Sequence, residues 1–184
     1  MKKVVSLFAI LAVVGLTMPA FAEIQPGRTT LSVLFGGYIF QGNEKLKQSP
    51  VWSFRLGQDL TKEFSAEAAL DYVPTERTTT KRDFVDVYQA HFDGLFNINP
   101  DGALVPYLAG GLGWRSIDAR DGHSNTGFAF NFGGGVKFFF TDRLAARADL
   151  RDFVDIHSDN TYDNLMYTAG LTYHFRPMKM FEKK

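Results

Sequence analysis

The chain has 184 residues, balances 20 Lys and Arg against 20 Asp and Glu, and contains no cysteine. Its length suits one domain. The even charge offers no basic footprint for nucleic acid. Without cysteine there is no disulfide framework and no thiolate chemistry.

The N-terminus reads MKKVVSLFAILAVVGLTMPAFA. Lys2 and Lys3 precede an apolar run from Val4 to Leu16, and Ala20-Phe21-Ala22 has the small-x-small form of a cleavage site. This is the pattern of a secretory signal peptide, residues 1–22, cut after Ala22. Removing 22 of the 184 residues leaves a mature chain of 162, with 18 basic and 20 acidic side chains. No later apolar stretch is long enough for a membrane-spanning helix. A membrane location therefore requires a closed barrel, the other way of satisfying backbone polar groups in lipid.

After a leader at residues 23–28, alternation with a period of two predicts strands. The first, from about Thr29 to Phe40, sets Leu31, Val33, Phe35 and Ile39 against Ser32, Gly36 and Tyr38, with Leu34 as an exception. A polar loop, GNEKLKQSP, leads to a second strand over Val51 to Leu60, with Trp52, Phe54 and Leu56 opposing Ser53, Arg55 and Gly57. Thr61-Lys62 turns the chain into a third strand, where Phe64, Ala66, Ala68, Leu70 and Tyr72 oppose Ser65, Glu67, Ala69 and Asp71. The charged loop PTERTTTKRD follows.

The fourth strand sets Tyr88, Ala90, Phe92 and Phe96 against Gln89, His91 and Asp93, and NINPDG supplies a turn. The fifth opens at Val105-Pro106 and opposes Leu108, Leu112 and Trp114 to Tyr107, Gly111, Gly113 and Arg115. Loop DARDGHSNTG precedes a sixth strand with Phe128, Phe130, Phe132, Val136 and Phe138 against Asn131, Gly133, Gly135 and Lys137. Thr141-Asp142-Arg143 turns into a seventh, where Leu144, Ala146, Ala148 and Leu150 oppose Arg147, Asp149 and Arg151. A loop at about Asp155 to Asp163 leads to the last strand, Asn164 to Phe175. There Leu165, Tyr167, Ala169, Leu171, Tyr173 and Phe175 form an apolar face with aromatics flanking an aliphatic middle. Tyrosine and phenylalanine rings favour the water–lipid boundary, so this strand suits a bilayer crossing.

Eight strands joined alternately by short turns and long polar loops predict an all-β, eight-stranded antiparallel up-and-down transmembrane barrel. Short turns face the periplasm and long loops the exterior. The soluble rival is a lipocalin-like barrel with its apolar face inside. Two features decide against it. The polar face is rich in glycine and nearly charge-balanced, with Arg55, Arg115, Lys137, Arg147 and Arg151 against Glu67, Asp71, Asp93 and Asp149. The apolar face carries no charge in any strand's middle. An eight-stranded barrel is just wide enough for side chains to fill. The polar face is thus expected inside as an ion-paired network that includes His91, and the apolar face in lipid.

The signal peptide, the strand VPYLAGGLG, the hairpin FGGGVKFFFTDRLAARADLR and the closing AGLTYHF resemble the eight-stranded transmembrane domain of the outer-membrane protein A family. The resemblance implies an integral barrel over residues 23–175 in a Gram-negative-type outer membrane. Its surroundings are then outer-membrane lipids and lipopolysaccharide, with periplasmic chaperones and the barrel-assembly machinery as partners during biogenesis. The aromatic last strand, with Tyr167, Leu171, Tyr173 and Phe175, resembles the signal that machinery reads. Many members add a peptidoglycan-binding domain; here a tail at residues 176–184 is expected instead. A monomer without cofactor is expected.

Candidate chemistry is sparse. His123-Ser124-Asn125 invites comparison with barrel lipid A deacylases. Those place His and Ser one residue apart on a strand, whereas adjacent side chains on an extended segment point apart. A polar turn is the simpler reading. His91 with Asp93, and His174, belong to the interior hydrogen-bond network rather than to a metal or proton path. Gly133 to Gly135 lie mid-strand with no following helix, so they are not a phosphate loop. The expected role is non-catalytic: an envelope component presenting surface loops such as Thr75 to Asp83. Ligand binding through those loops and lipid modification are the alternatives, and a narrow Arg-filled interior argues against a wide pore.

Overall fold

The computed structural model describes residues 23–40, 46–77, 84–119, 124–156 and 161–175. The proposed signal peptide and the tail lie outside them. Eight strands close into one antiparallel barrel, β1 (Thr29–Ile39), β2 (Ser49–Asp59), β3 (Phe64–Glu76), β4 (Phe84–Asn97), β5 (Leu104–Ala119), β6 (Ser124–Phe139), β7 (Leu144–Ile156) and β8 (Thr161–His174). Each strand pairs with its sequence neighbours, and β1 closes the ring against β8 from Thr30–His174 to Ile39–Leu165. Closure leaves no open edge to template aggregation. No described helix is long and apolar enough to cross a membrane.

Alternation along the strands becomes inside and outside. On β2, Trp52, Phe54 and Leu56 are exposed on the outer wall, while Ser53, Arg55 and Gly57 face inward and are buried. On β8, Tyr167, Leu171 and Tyr173 are exposed, as is Phe175 just after it, and Met166, Thr168, Thr172 and His174 are buried. Leu34, out of place on the polar face of β1, points into the lumen and fills the space over Gly170, its partner on β8.

Two of the short turns are built alike. In Leu60–Phe64 the Thr61 hydroxyl accepts the backbone N–H groups of Glu63 and Phe64 at 3.1 and 2.9 Å. In Phe140–Leu144 the Thr141 hydroxyl accepts those of Arg143 and Leu144 at 3.2 and 3.0 Å. A side-chain oxygen here satisfies amides that the ladder has released, which is why a threonine can close so tight a hairpin.

The long loops are shorter than the sequence suggests, because the strands run on past the membrane. β7 continues to Ile156 and β8 begins at Thr161, so Asp155 and Asp163 belong to strands rather than to a loop. Likewise β5 and β6 reach Ala119 and Ser124, and β3 and β4 reach Glu76 and Phe84. Polar residues at the outer ends of strands look like loop on composition alone; ladder pairing overrides that local signal.

Candidate functional site

The lumen is filled in three tiers. Its periplasmic end holds an apolar cluster of Ile24, Val105, Phe139 and Ala145. Ile24 comes from the leader, which folds under the barrel: its amide donates to the Pro100 carbonyl at 3.0 Å and Gly27, at φ 82°, donates to Asp59 at 2.7 Å. That positive φ suits glycine, since a Cβ would be strained there. The extracellular end holds a larger cluster of Tyr38, Phe40, Val51, Val73, Val85, Val87, Phe153 and Met166. Between these two plugs lies a charged network centred on Arg147.

Arg147 is the hub of the charged tier. Its Nη1 and Nη2 donate to the two oxygens of Glu67 at 2.6 and 2.9 Å, and its Nε donates to Asp149 at 2.8 Å and to the Tyr107 hydroxyl at 2.9 Å. The fork-to-fork contact with Glu67 is the strongest geometry an arginine offers a carboxylate. Asp149 in turn accepts from Arg55 at 3.0 Å and lies 3.4 Å from Arg151. Arg151 donates to Asp93 at 3.1 Å and to Asn131 at 3.0 Å. Lys137 is buried with its ammonium 5.4 Å from the Tyr107 ring centroid. Glycines make the room: a methyl group at Gly111 would overlap the Asp93 carboxylate, and one at Gly135 the Tyr107 hydroxyl.

His91 bridges two carboxylates, with Nδ1 2.9 Å from Asp93 and Nε2 3.0 Å from Asp71. A neutral imidazole has one N–H and an ionised carboxylate can only accept. Holding both contacts therefore requires one extra proton within the Asp71–His91–Asp93 unit. All ten residues read from the sequence as interior, Arg55, Glu67, Asp71, His91, Asp93, Arg115, Lys137, Arg147, Asp149 and Arg151, are buried in the lumen.

Sequence reasoning missed two carboxylates. Asp155, assigned to a loop, sits 2.9 Å from Arg115 and accepts from Asn164 at 2.7 Å. Asp59, at the end of β2, accepts from Ser65 at 2.8 Å and lies 3.4 Å from His174. With them, the described buried charges number six basic (Arg28, Arg55, Arg115, Lys137, Arg147, Arg151) and six acidic (Asp59, Glu67, Asp71, Asp93, Asp149, Asp155). The inward parity of Asp155, continuing from Arg151 and Phe153, was the available signal.

The outer wall carries two aromatic belts. Near the exterior, Phe35 and Trp52 lie 4.8 Å apart, Tyr72 and Tyr88 5.2 Å, and Trp114 and Phe128 6.2 Å. Near the periplasm, Phe64 pairs with Phe96 at 5.1 Å, Phe138 with Phe140 at 5.3 Å, and Tyr173 with Phe175 at 4.9 Å. Leucines and phenylalanines fill the band between, the profile of an outer-membrane barrel.

His123 lies outside the described residues. Ser124 and Asn125 open β6, paired with Asp118 and Ile117. Among the described residues no group of three or more His, Asp or Glu side chains is arranged to hold a metal ion.

Residues 8–175 match the model of the outer membrane protein beta-barrel domain. The chain belongs to that family. Among solved structures, the barrel is similar to Neisserial surface protein A, with TM-score 0.65 and 12% identity over 80% of this chain and 97% of that one. It is also similar to the N-terminal β-barrel domain of Pseudomonas aeruginosa OprF (TM-score 0.57, 18% identity, 83% and 100% covered). A third likeness is to the attachment invasion locus protein Ail of Yersinia pestis, solved with the heparin analogue sucrose octasulfate (TM-score 0.53, 11% identity, 82% and 100% covered). At these identities the likeness is one of fold. Comparison with curated protein sequences returns no match. The chain is an integral outer-membrane protein of this barrel family.

Proposed function

We propose that this outer-membrane barrel is a sealed, non-catalytic component of the envelope that presents its extracellular rim to the surroundings. The observation that carries the reading is the three-tier lumen: apolar plugs at both ends and, between them, charges bonded to one another. Such an interior leaves little room for a water path, because Arg147 and Arg151 at its centre are each held by two carboxylates and Arg55 is held by Asp149. The same tethering argues against catalysis in the lumen, where buried carboxylates and His91 have no access to a substrate. The pair that the lipid A deacylase alternative would use, His123 and Ser124, lies outside the described side chains. The aromatic β8 is proposed as the segment the barrel-assembly machinery engages.

The test is single-channel recording on residues 23–184 in a planar bilayer. A silent membrane is the expected result, and sustained conductance steps would contradict the sealed reading. Binding at the rim is the second reading, favoured by strand length. β5 and β6 have 16 residues each, whereas about 9–11 suffice to cross a bilayer. Their outer ends therefore stand above the aromatic belt as a rigid platform. Ail, a barrel of the same fold, was solved with a sulfated saccharide analogue, which makes surface sugars a reasonable class to try first.

A further inference from the structure

The ladder between β2 and β3 opens above the outer aromatic belt. Regular pairing stops at Trp52–Tyr72 and reappears as a single bridge between Leu46 and Arg77, with the Lys47 amide donating to the Glu76 carbonyl at 3.0 Å. Across the interval four residues, Gln48 to Val51, oppose three, Val73 to Thr75. Each side contains a proline, Pro50 and Pro74, that has no N–H to give the ladder. An extra residue and missing donors are what split a pair of strands, and such bulges gather at barrel rims and binding sites.

The split leaves a pocket of about 450 Å³ on the outer wall. Tyr72, Pro74 and Phe84 contribute apolar surfaces, and Gln48, Glu76 and Asp86 the polar groups. Both carboxylates are already held: the Tyr72 hydroxyl donates to Asp86 at 2.8 Å and Lys47 pairs with Glu76 at 2.7 Å. A site whose charges are compensated in this way gains little from a simple ion. Flat apolar faces beside held carboxylates and the exposed Gln48 amide instead match a ligand with one apolar and many hydroxyl-bearing faces. The pocket also lies at the outer aromatic belt, with Tyr72 in its wall and Tyr88 beside it, and such belts mark the water–lipid boundary.

We propose that the β2–β3 pocket binds a neutral saccharide unit, with Tyr72 and Phe84 as stacking faces and Gln48 and Asp86 as hydroxyl partners. The proposal rests on the rim-presenting reading above and names its site and ligand class. The sugar has two sources, the lipopolysaccharide of the same leaflet or a free glycan.

Trp52 pairs with Tyr72 and is one of two tryptophans, so Trp114→Phe leaves it as the sole reporter beside the pocket. That protein, refolded into lipopolysaccharide-free phosphocholine vesicles, is titrated with maltotetraose and with core oligosaccharide freed of lipid A. Folding is scored separately by heat-modifiable mobility, which distinguishes loss of the barrel from loss of the sugar site. A saturable change in Trp52 fluorescence, weakened roughly ten-fold by Gln48→Ala or Asp86→Ala, supports the site. Response to maltotetraose assigns a free glycan; response to core oligosaccharide alone assigns the leaflet's own sugar. No response to either up to about 10 mM, or one unchanged in both variants, overturns the proposal.

Discussion

Arg147 and Ala148 are neighbours in sequence, yet one lies in the charged lumen and the other on the lipid-facing wall. The lumen and the wall are made by the same eight strands and obey opposite rules. Inside, charge is tolerated because most groups meet a counter-charge: Arg147 binds Glu67 and Asp149, Arg151 binds Asp93, and Arg55 binds Asp149. Outside, large apolar side chains such as Leu70 (63% exposed) and Phe92 (61% exposed) are open to the surroundings, which would be a liability in water. In lipid they need no partner. The contrast shows that burial and hydrophobicity come apart when the solvent is a bilayer. A single-residue shift of register would exchange the two surfaces completely.

Breaking the lumen should have the largest effect. Arg147→Met strands Glu67 and part of Asp149 without their partner, at a cost of about 3–5 kcal/mol in the unfolding free energy that urea titration of the vesicle-inserted barrel gives. Replacing Glu67 with leucine in the same protein should recover part of that loss, since it removes the orphaned charge. Charging the wall comes next: Arg at Leu112, Phe132 or Leu171 should cost about 2–4 kcal/mol, least where the site lies away from the bilayer midplane. Assembly yield in lipid vesicles measures it, and normal folding of all three would show that the faces are reversed.

His91→Phe keeps a ring against Phe153 but removes the bridge between Asp71 and Asp93, for about 1.5–3 kcal/mol by the same urea assay. The smallest effect belongs to a pair in neither region. Lys62, at the periplasmic turn, is bonded to Glu23 and Asp101, which hold its ammonium charged above the usual lysine range. A raised value in the folded state means that any contribution is in place below about pH 10.4 and disappears as pH climbs through the folded value. Lys62→Ala should leave the midpoint unchanged and flat between about pH 6 and 9, because water screens so exposed a pair. A clear destabilisation there would undo the distinction between buried and exposed charge.

The strands and their two faces were legible in the sequence because period-two alternation persists wherever one side meets lipid and the other a polar lumen. Legibility failed at the strand ends. There Val85, Val87 and Phe153 turn inward while Asp86 and Asp152 beside them face outward, so the alternation is locally inverted and misleads. Asp155 failed for a different reason: a polar residue near a predicted turn looks solvated until its partner across the barrel, Arg115, is known. Ile24 carried no periodic signal, being a lone apolar residue in a leader that folds back under the lumen. The β2–β3 pocket depends on where a ladder stops, which the prolines hint at but do not locate.

The central claim is that the polar face is enclosed and the apolar face meets lipid. Tryptophan fluorescence in vesicles tests it most directly, since Trp52 and Trp114 are the chain's two tryptophans and both stand on the outer wall. The account predicts strong quenching of both by lipids brominated on their acyl chains and little quenching by aqueous iodide. Strong iodide quenching with no response to brominated lipid would place the aromatic face in water and contradict it.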